Sequence, residues 1–158
     1  MITCYFEDSK KPAYLRHAVV DMLVIDKNKI LLVKRGSKYL EANKWALPGG
    51  YLDRDETLKQ AALREAKEET GYQTKIINLF TINDNPKRPR ELNRQGVAFV
   101  YLLKPLKKVG HFDHEVKDIR WFDLNKLPSP IQIAFDHLKI IKLYKQHLKN
   151  PFKLPILR

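Results

Sequence analysis

Residues 50–72, GYLDRDETLKQAALREAKEETGY, carry the side chains of this sequence best suited to chemistry. Arg64, Glu65, Glu68 and Glu69 crowd together just ahead of Gly71, and a further acid, Glu56, precedes them. On a helix, at about 100° per residue, Glu65, Glu68 and Glu69 fall within an arc of roughly 100°. Like charges three or four apart destabilise an exposed helix by about 0.2–0.5 kcal/mol per pair. Arg64, four residues before Glu68, recovers part of that. A solvated charged face is the common outcome of such a pattern, but it leaves Leu47-Pro48-Gly49-Gly50 unexplained. Paired glycines stop a strand and let the backbone approach a ligand closely. Oxygen ligands alone, with no Cys or His at ligand spacing, select a hard cation: Mg²⁺, with Mn²⁺ as a substitute. Magnesium binds through carboxylates and substrate phosphate oxygens, and a spare carboxylate can take the proton of a metal-bound water. The chemistry predicted is metal-assisted hydrolysis of a phosphate anhydride.

The elements that must position these groups follow from local pattern. Residues 57–70 are rich in Ala, Leu, Glu, Lys, Gln and Arg, with no internal Gly or Pro, which predicts a helix. Thr57 and Gln60 have capping-box spacing, Asp55 and Glu56 suit the positive end of the helix dipole, and Gly71 suits a left-handed C-terminal cap. Strands are predicted at 17–25, 30–34, 45–47, 72–82, 95–103 and 119–122, the first two as a hairpin about Asp26-Lys27-Asn28-Lys29. Residues 36–44 read as a polar loop. Apolar residues at 131, 134, 135, 138, 141 and 148 predict a second amphipathic helix over 131–148. Strands flanked by two well-separated helices make a layered α/β domain. It is expected over 17–150, with an N-terminal extension at 1–16 and a proline-broken tail at 151–158.

Composition sets the outer bounds. A chain of 158 residues is one domain by size. It has no run of 18 apolar residues, and its first residues are charged where a signal peptide needs an apolar run. The single cysteine, Cys4, precludes an internal disulfide, and with these features the expectation is the cytoplasm. Thirty Lys and Arg against eighteen Asp and Glu give a formal charge of +12. Such a field attracts anions in general, nucleotides and RNA included, and by itself names no partner.

The box residues resemble the signature of the Nudix hydrolases, Gly-x5-Glu-x7-Arg-Glu-U-x-Glu-Glu-x-Gly-U, where U is bulky and apolar. Gly50, Glu56, Arg64, Glu65, Glu68, Glu69 and Gly71 match every fixed position, and Ala66 and Tyr72 stand at the two U positions. The likeness extends to WALPGG at 45–50 and IRWFDLNKLP at 119–128. It implies an α/β/α sandwich, a mixed sheet between helices with the box as a loop–helix–loop metal site. It implies a Mg²⁺-dependent pyrophosphohydrolase acting on a nucleoside diphosphate linked to another moiety.

Role by role, the resemblance makes Glu65, Glu68 and Glu69 metal ligands together with the Gly49 carbonyl. Glu65 is the expected general base, or Glu68 where Glu65 is taken up by metal. Arg64 orients the glutamates, Glu56 braces the loop, and Gly50 and Gly71 are structural. Glu115, in HFDHEVKDIRWF, matches a loop glutamate that many relatives place near the metals, with Asp118 as its neighbour and competitor. Residues 82–95, INDNPKRPRELNRQ, offer Lys87, Arg88, Arg90 and Arg94 among prolines, and arginine forks suit phosphate. This loop resembles one in ADP-ribose pyrophosphatases, though without that loop's second aspartate. Tyr39 is a candidate to stack on a base, while Trp45, Tyr101, Trp121 and Phe122 read as core. ADP-ribose or a related nucleotide sugar is therefore the expected substrate. The alternatives are oxidised nucleoside triphosphates such as 8-oxo-dGTP, RNA 5′ ends, or mere binding of nucleotide or RNA at a dead site. The intact glutamates argue against the last. A homodimer is the remaining partner considered.

Overall fold

The computed structural model describes residues 2–88 and 95–158. In chain order the elements are β1 (Ile2–Tyr5), β2 (Pro12–Leu15), β3 (His17–Asp26), β4 (Lys29–Arg35), β5 (Trp45–Ala46), β6 (Gly49–Tyr51), α1 (Leu58–Thr70), β7 (Tyr72–Asn83), β8 (Gly96–Lys108) and β9 (Val116–Asp123). A short 3-10 turn (Pro130–Gln132), α2 (His137–Lys149) and β10 (Ile156–Leu157) complete it.

β3 is the hinge of the architecture because it is apolar on both faces and pairs along both edges. One edge runs parallel to β8 from His17↔Gly96 to Val24↔Leu103. The other pairs first with β6 and then, past Ile25, with β4. The mixed sheet runs β10-β7-β8-β3-β4-β5, with β6 added on β3 and β9 on β4. Side-chain alternation along β3 sorts the core. Val20, Met22 and Val24 pack with Leu31 against Ala61, Ala62 and Ala66 of α1. Leu23 packs with Ile30, Leu32 and Phe80 against Ile140, Ile141 and Tyr144 of α2. One helix therefore lies on each face. Small alanines let α1 approach the sheet closely, which brings its acidic stripe to the sheet's edge.

α1 forms with the predicted caps: Thr57 and Gln60 close a capping box, and Gly71 takes φ 70°, where it donates to Lys67 O. α2 begins later than its periodicity suggests. Residues 130–132 form the 3-10 turn, and the chain then docks on β5, where Ile133 bridges Trp45 and Ala134 N–H donates to Trp45 O at 2.8 Å. An apolar run that docks on a strand edge satisfies its backbone there rather than in a helical turn. The two chain ends also gain structure. β1 and β2 form a separate antiparallel hairpin, and β10 in the tail pairs in parallel with β7 at Thr81 and Ile82. Among the described residues no helix is long and apolar enough to cross a membrane.

Candidate active site

The sheet edge at β6 packs against the acidic stripe of α1, and residues of both line a cavity of about 570 Å³. Gly49, Gly50, Glu65, Glu68 and Glu69 all line it. Gly49 and Gly50 lie in register with Asp21 and Val20, so the sheet sets their backbone. Both are glycine for want of room. A Cβ on Gly49 would meet Val20 O at 2.4 Å, and one on Gly50 would meet Glu65 Oε1 at 2.2 Å.

Arg64 organises the acids. Its guanidinium forks onto Glu56, with Nη2 to Oε1 at 2.6 Å and Nε to Oε2 at 3.1 Å. Nη1 donates to Glu65 Oε1 at 2.7 Å and to Glu68 Oε2 at 3.0 Å, and Nη2 also donates to Tyr51 O at 3.1 Å. Those acceptors push the guanidinium pKa above its ordinary value, Glu56 first. The same fork holds the Glu56 carboxyl below its own. Glu56 also accepts Asp53 N–H at 2.9 Å, so it braces the loop before the helix.

The three glutamates line the same cavity, but their carboxylates divide. Glu65 and Glu68 are drawn onto Arg64, whereas Glu69 is buried and accepts Gly49 N–H at 2.8 Å. Burial raises the Glu65 carboxyl, more than Arg64 lowers it, and Glu68 and Glu115 add to the rise. Burial raises Glu69 well above the ordinary range, with Glu65 and Asp113 contributing. Among the described residues no three acid, His or Cys side chains meet at a single point at ligand distance. The donor set is nonetheless what a hard divalent cation needs: carboxylates that repel one another, partly desolvated, beside a close-approach glycine backbone.

Glu115 lines the cavity and Asp118 does not. Asp118 pairs with Arg120 on β9 at 3.3 Å. The loop that carries Glu115 is stitched down by Val109 and Gly110 N–H to Gly71 O and by Asp113 N–H to Glu68 O. His111 and His114 are exposed and lie outside this cavity. Tyr39 lines it, with its ring against Gly36. Arg88 also lines it, its fork on Asp136, with Nε to Oδ2 at 2.9 Å and Nη2 to Oδ1 at 3.0 Å. Lys87 is exposed and is not part of the wall. Arg90 and Arg94 lie outside the described residues.

Four further cavity residues, Asp21, Asp113, Asp136 and His137, do not emerge from motif or periodicity. Asp21 had a signal, an acid in the middle of the apolar run HAVVDMLVI. Asp136 and His137 stand at the start of α2, where both are buried: Asn83 donates to Asp136 at 2.9 Å, and His137 accepts Leu47 N–H.

Comparison with known proteins matches this geometry to one family. Residues 15–144 match the model of the NUDIX domain. The chain is 39% identical over 133 residues to an ADP-ribose pyrophosphatase of Methanocaldococcus jannaschii, covering 83% of this chain and 75% of that protein. It is 27% identical to the human 8-oxo-dGDP phosphatase NUDT18, covering 88% of this chain but 42% of the relative. A Nudix hydrolase structure from Nitrosomonas europaea superposes with a TM-score of 0.78 over 97% of this chain and 84% of the other, at 23% identity. A bifunctional NMN adenylyltransferase/ADP ribose pyrophosphatase from Francisella tularensis, solved with AMP and a Mn ion, superposes at 0.65 with 28% identity, covering 87% of this chain and 43% of that one.

Proposed function

Because the chain belongs to the Nudix hydrolase family, we propose that it splits the pyrophosphate of a nucleoside diphosphate linked to another moiety, ADP-ribose or a related nucleotide sugar, with Mg²⁺ or Mn²⁺. The observation that carries this reading is that the box glutamates and the Gly49-Gly50 backbone line one cavity sized for a small molecule. Similarity to an ADP-ribose pyrophosphatase of Methanocaldococcus jannaschii supports the substrate, and the Mn ion in the Francisella structure supports the cation.

Glu65, Glu68, Glu69 and the Gly49 carbonyl are the residues that would hold the cation, with Glu115 contributing from its loop. When bound, such a cation neutralises phosphate charge and acidifies a water. Glu65 is the base. A carboxylate beside the bound cation is placed to take the proton of the water that the cation acidifies. Arg64 holds Oε1 at 2.7 Å, so Glu65 takes the proton through Oε2, and where the cation takes up Oε2 the base is Glu68. Water oxygen bonds to one phosphorus as the bridging P–O bond breaks, and the second phosphate departs. Lys38, which lines the cavity, meets the substrate's phosphates, Arg88 adds positive charge from the wall while its fork stays on Asp136, and Tyr39 stacks on the base.

A panel with Mg²⁺ tests this: ADP-ribose, sugar nucleotides, 8-oxo-dGDP, 8-oxo-dGTP and triphosphorylated RNA. ADP-ribose or a sugar nucleotide should give the highest kcat/KM. Preference for 8-oxo-dGTP or 8-oxo-dGDP would favour the alternative of oxidised-nucleotide removal, which similarity to the human 8-oxo-dGDP phosphatase supports. No cleavage of any diphosphate would refute both.

A further inference from the structure

Leu47-Pro48-Gly49 leaves the register of β5 at the cavity wall, with Leu47 only 2% exposed. Its polar groups must therefore find partners within the protein. Pro48 O accepts Met22 N–H at 2.8 Å, and Gly49 N–H donates to Glu69. The Leu47 N–H donates to Nδ1 of His137 at 2.9 Å, from the first turn of α2 and far outside the box. A ring nitrogen that accepts a hydrogen bond carries no proton, so the neutral imidazole is protonated on Nε2. That nitrogen faces Asp21 Oδ1 at 3.7 Å. Asp21 is in turn the register partner of Gly49, and its Oδ1 would lie 2.7 Å from a Cβ placed there. The ring is 5% exposed and packs on Phe135, with centroids 5.3 Å apart. Burial lowers its pKa against the pull of Asp21 and Asp136, in keeping with a neutral ring.

We infer that His137 is a positioning residue for the reaction: its unprotonated Nδ1 fixes the Leu47 amide and so sets the Gly49-Gly50 backbone against which Glu69 and Glu65 are placed. The inference rests on the proposed reading of that backbone and those glutamates as the metal centre. Loss of groups that orient a metal's ligands commonly costs about 10- to 100-fold in affinity, and His137 acts in this way through the Leu47 amide, two residues before the Gly49 carbonyl.

His137→Asn, His137→Gln and His137→Leu separate this role from simple core packing. The Asn carbonyl reaches where Nδ1 stands, the Gln carbonyl reaches toward Nε2, and Leu offers no acceptor. Mn²⁺ binding followed by electron paramagnetic resonance should weaken by about 10- to 100-fold in His137→Leu and His137→Gln, and only a few-fold in His137→Asn. Nitrogen NMR of the metal-free wild type should show an unprotonated Nδ1 coupled to the Leu47 amide. Equal loss in the Asn and Leu variants, or undiminished Mn²⁺ affinity in His137→Leu, overturns the inference. Should His137→Leu not fold, the Asn–Gln comparison and the wild-type nitrogen signal decide. A protonated Nδ1 in an active enzyme overturns the positioning role alone. A wild type that neither binds Mn²⁺ nor cleaves diphosphates overturns the proposed function, and the positioning role with it.

Discussion

Gly50→Ala should separate catalysis from stability at a single atom. The added Cβ would sit 2.2 Å from Glu65 Oε1, 2.3 Å from Cδ and 2.6 Å from Oε2, whereas ordinary contact begins at 3.4 Å. The obstacle is the end of a flexible side chain, and Gly50 does not need a positive φ, so the backbone can stay while the carboxylate retreats by about 1.2 Å. A misplacement of about 1 Å at a reacting group costs on the order of 100-fold in rate. That is about 2.7 kcal/mol of transition-state stabilisation. Folding changes little. The alanine restricts the unfolded chain by about 0.4–1 kcal/mol, which offsets a weakened Arg64–Glu65 bond, and Arg64 keeps Glu56 and Glu68. Gly49→Ala is the control, because there the Cβ meets the backbone oxygen of Val20 at 2.4 Å and the sheet itself must open. Steady-state hydrolysis of the best panel substrate and urea midpoints should show Gly50→Ala slow but stable and Gly49→Ala unstable. A Gly50→Ala enzyme within about threefold of wild type, far from the hundredfold expected, or as unstable as Gly49→Ala, refutes the reasoning.

Glu68→Gln should lower Mg²⁺-dependent turnover by about 10²-fold or more while leaving the urea midpoint unchanged, since the Glu68 side chain is 46% exposed. A mild loss of rate would remove Glu68 from the metal shell. Arg64→Lys replaces a fork that serves Glu56, Glu65, Glu68 and Tyr51 O with a single ammonium. It should lose about 1–3 kcal/mol in denaturant titration, and a neutral result would reduce Arg64 to surface charge. Burial pushes the Asp136 carboxyl up, yet the Arg88 fork outweighs it and holds the pKa below the ordinary 3.8. A depressed folded pKa means the unfolded chain takes up the proton first, so this stabilisation is full above about pH 4 and is lost as pH falls through the folded value. Urea midpoints of wild type and Arg88→Ala should differ at neutral pH and converge in acid. A constant gap across that range would count against the pair.

Local grammar made the box helix legible. Capping residues, helix formers and a closing glycine act within a few positions of one another, and the structure reproduces all three at Thr57, Gln60 and Gly71. The alternating apolar runs of β3 and β4 were readable for the same reason. The start of α2 was not, because Ile133 and Ala134 answer to Trp45, a partner remote in the chain. The loop at 82–95 shows the limit again. A run of cations suggests phosphate, but the sequence does not say that Arg88 will spend its fork on Asp136.

The sequence by itself determined the class of chemistry, since the number and spacing of acids on one helical stripe are properties of the chain. Only the tertiary structure decided how those acids are held. Glu69 faces Gly49 while Glu65 and Glu68 lean on Arg64, and a histidine from α2 satisfies the amide of Leu47, 90 positions before it. The physical reason is desolvation. A polar group buried by folding must take whatever partner the packed layers bring within hydrogen-bond reach, and distance along the chain does not enter that choice.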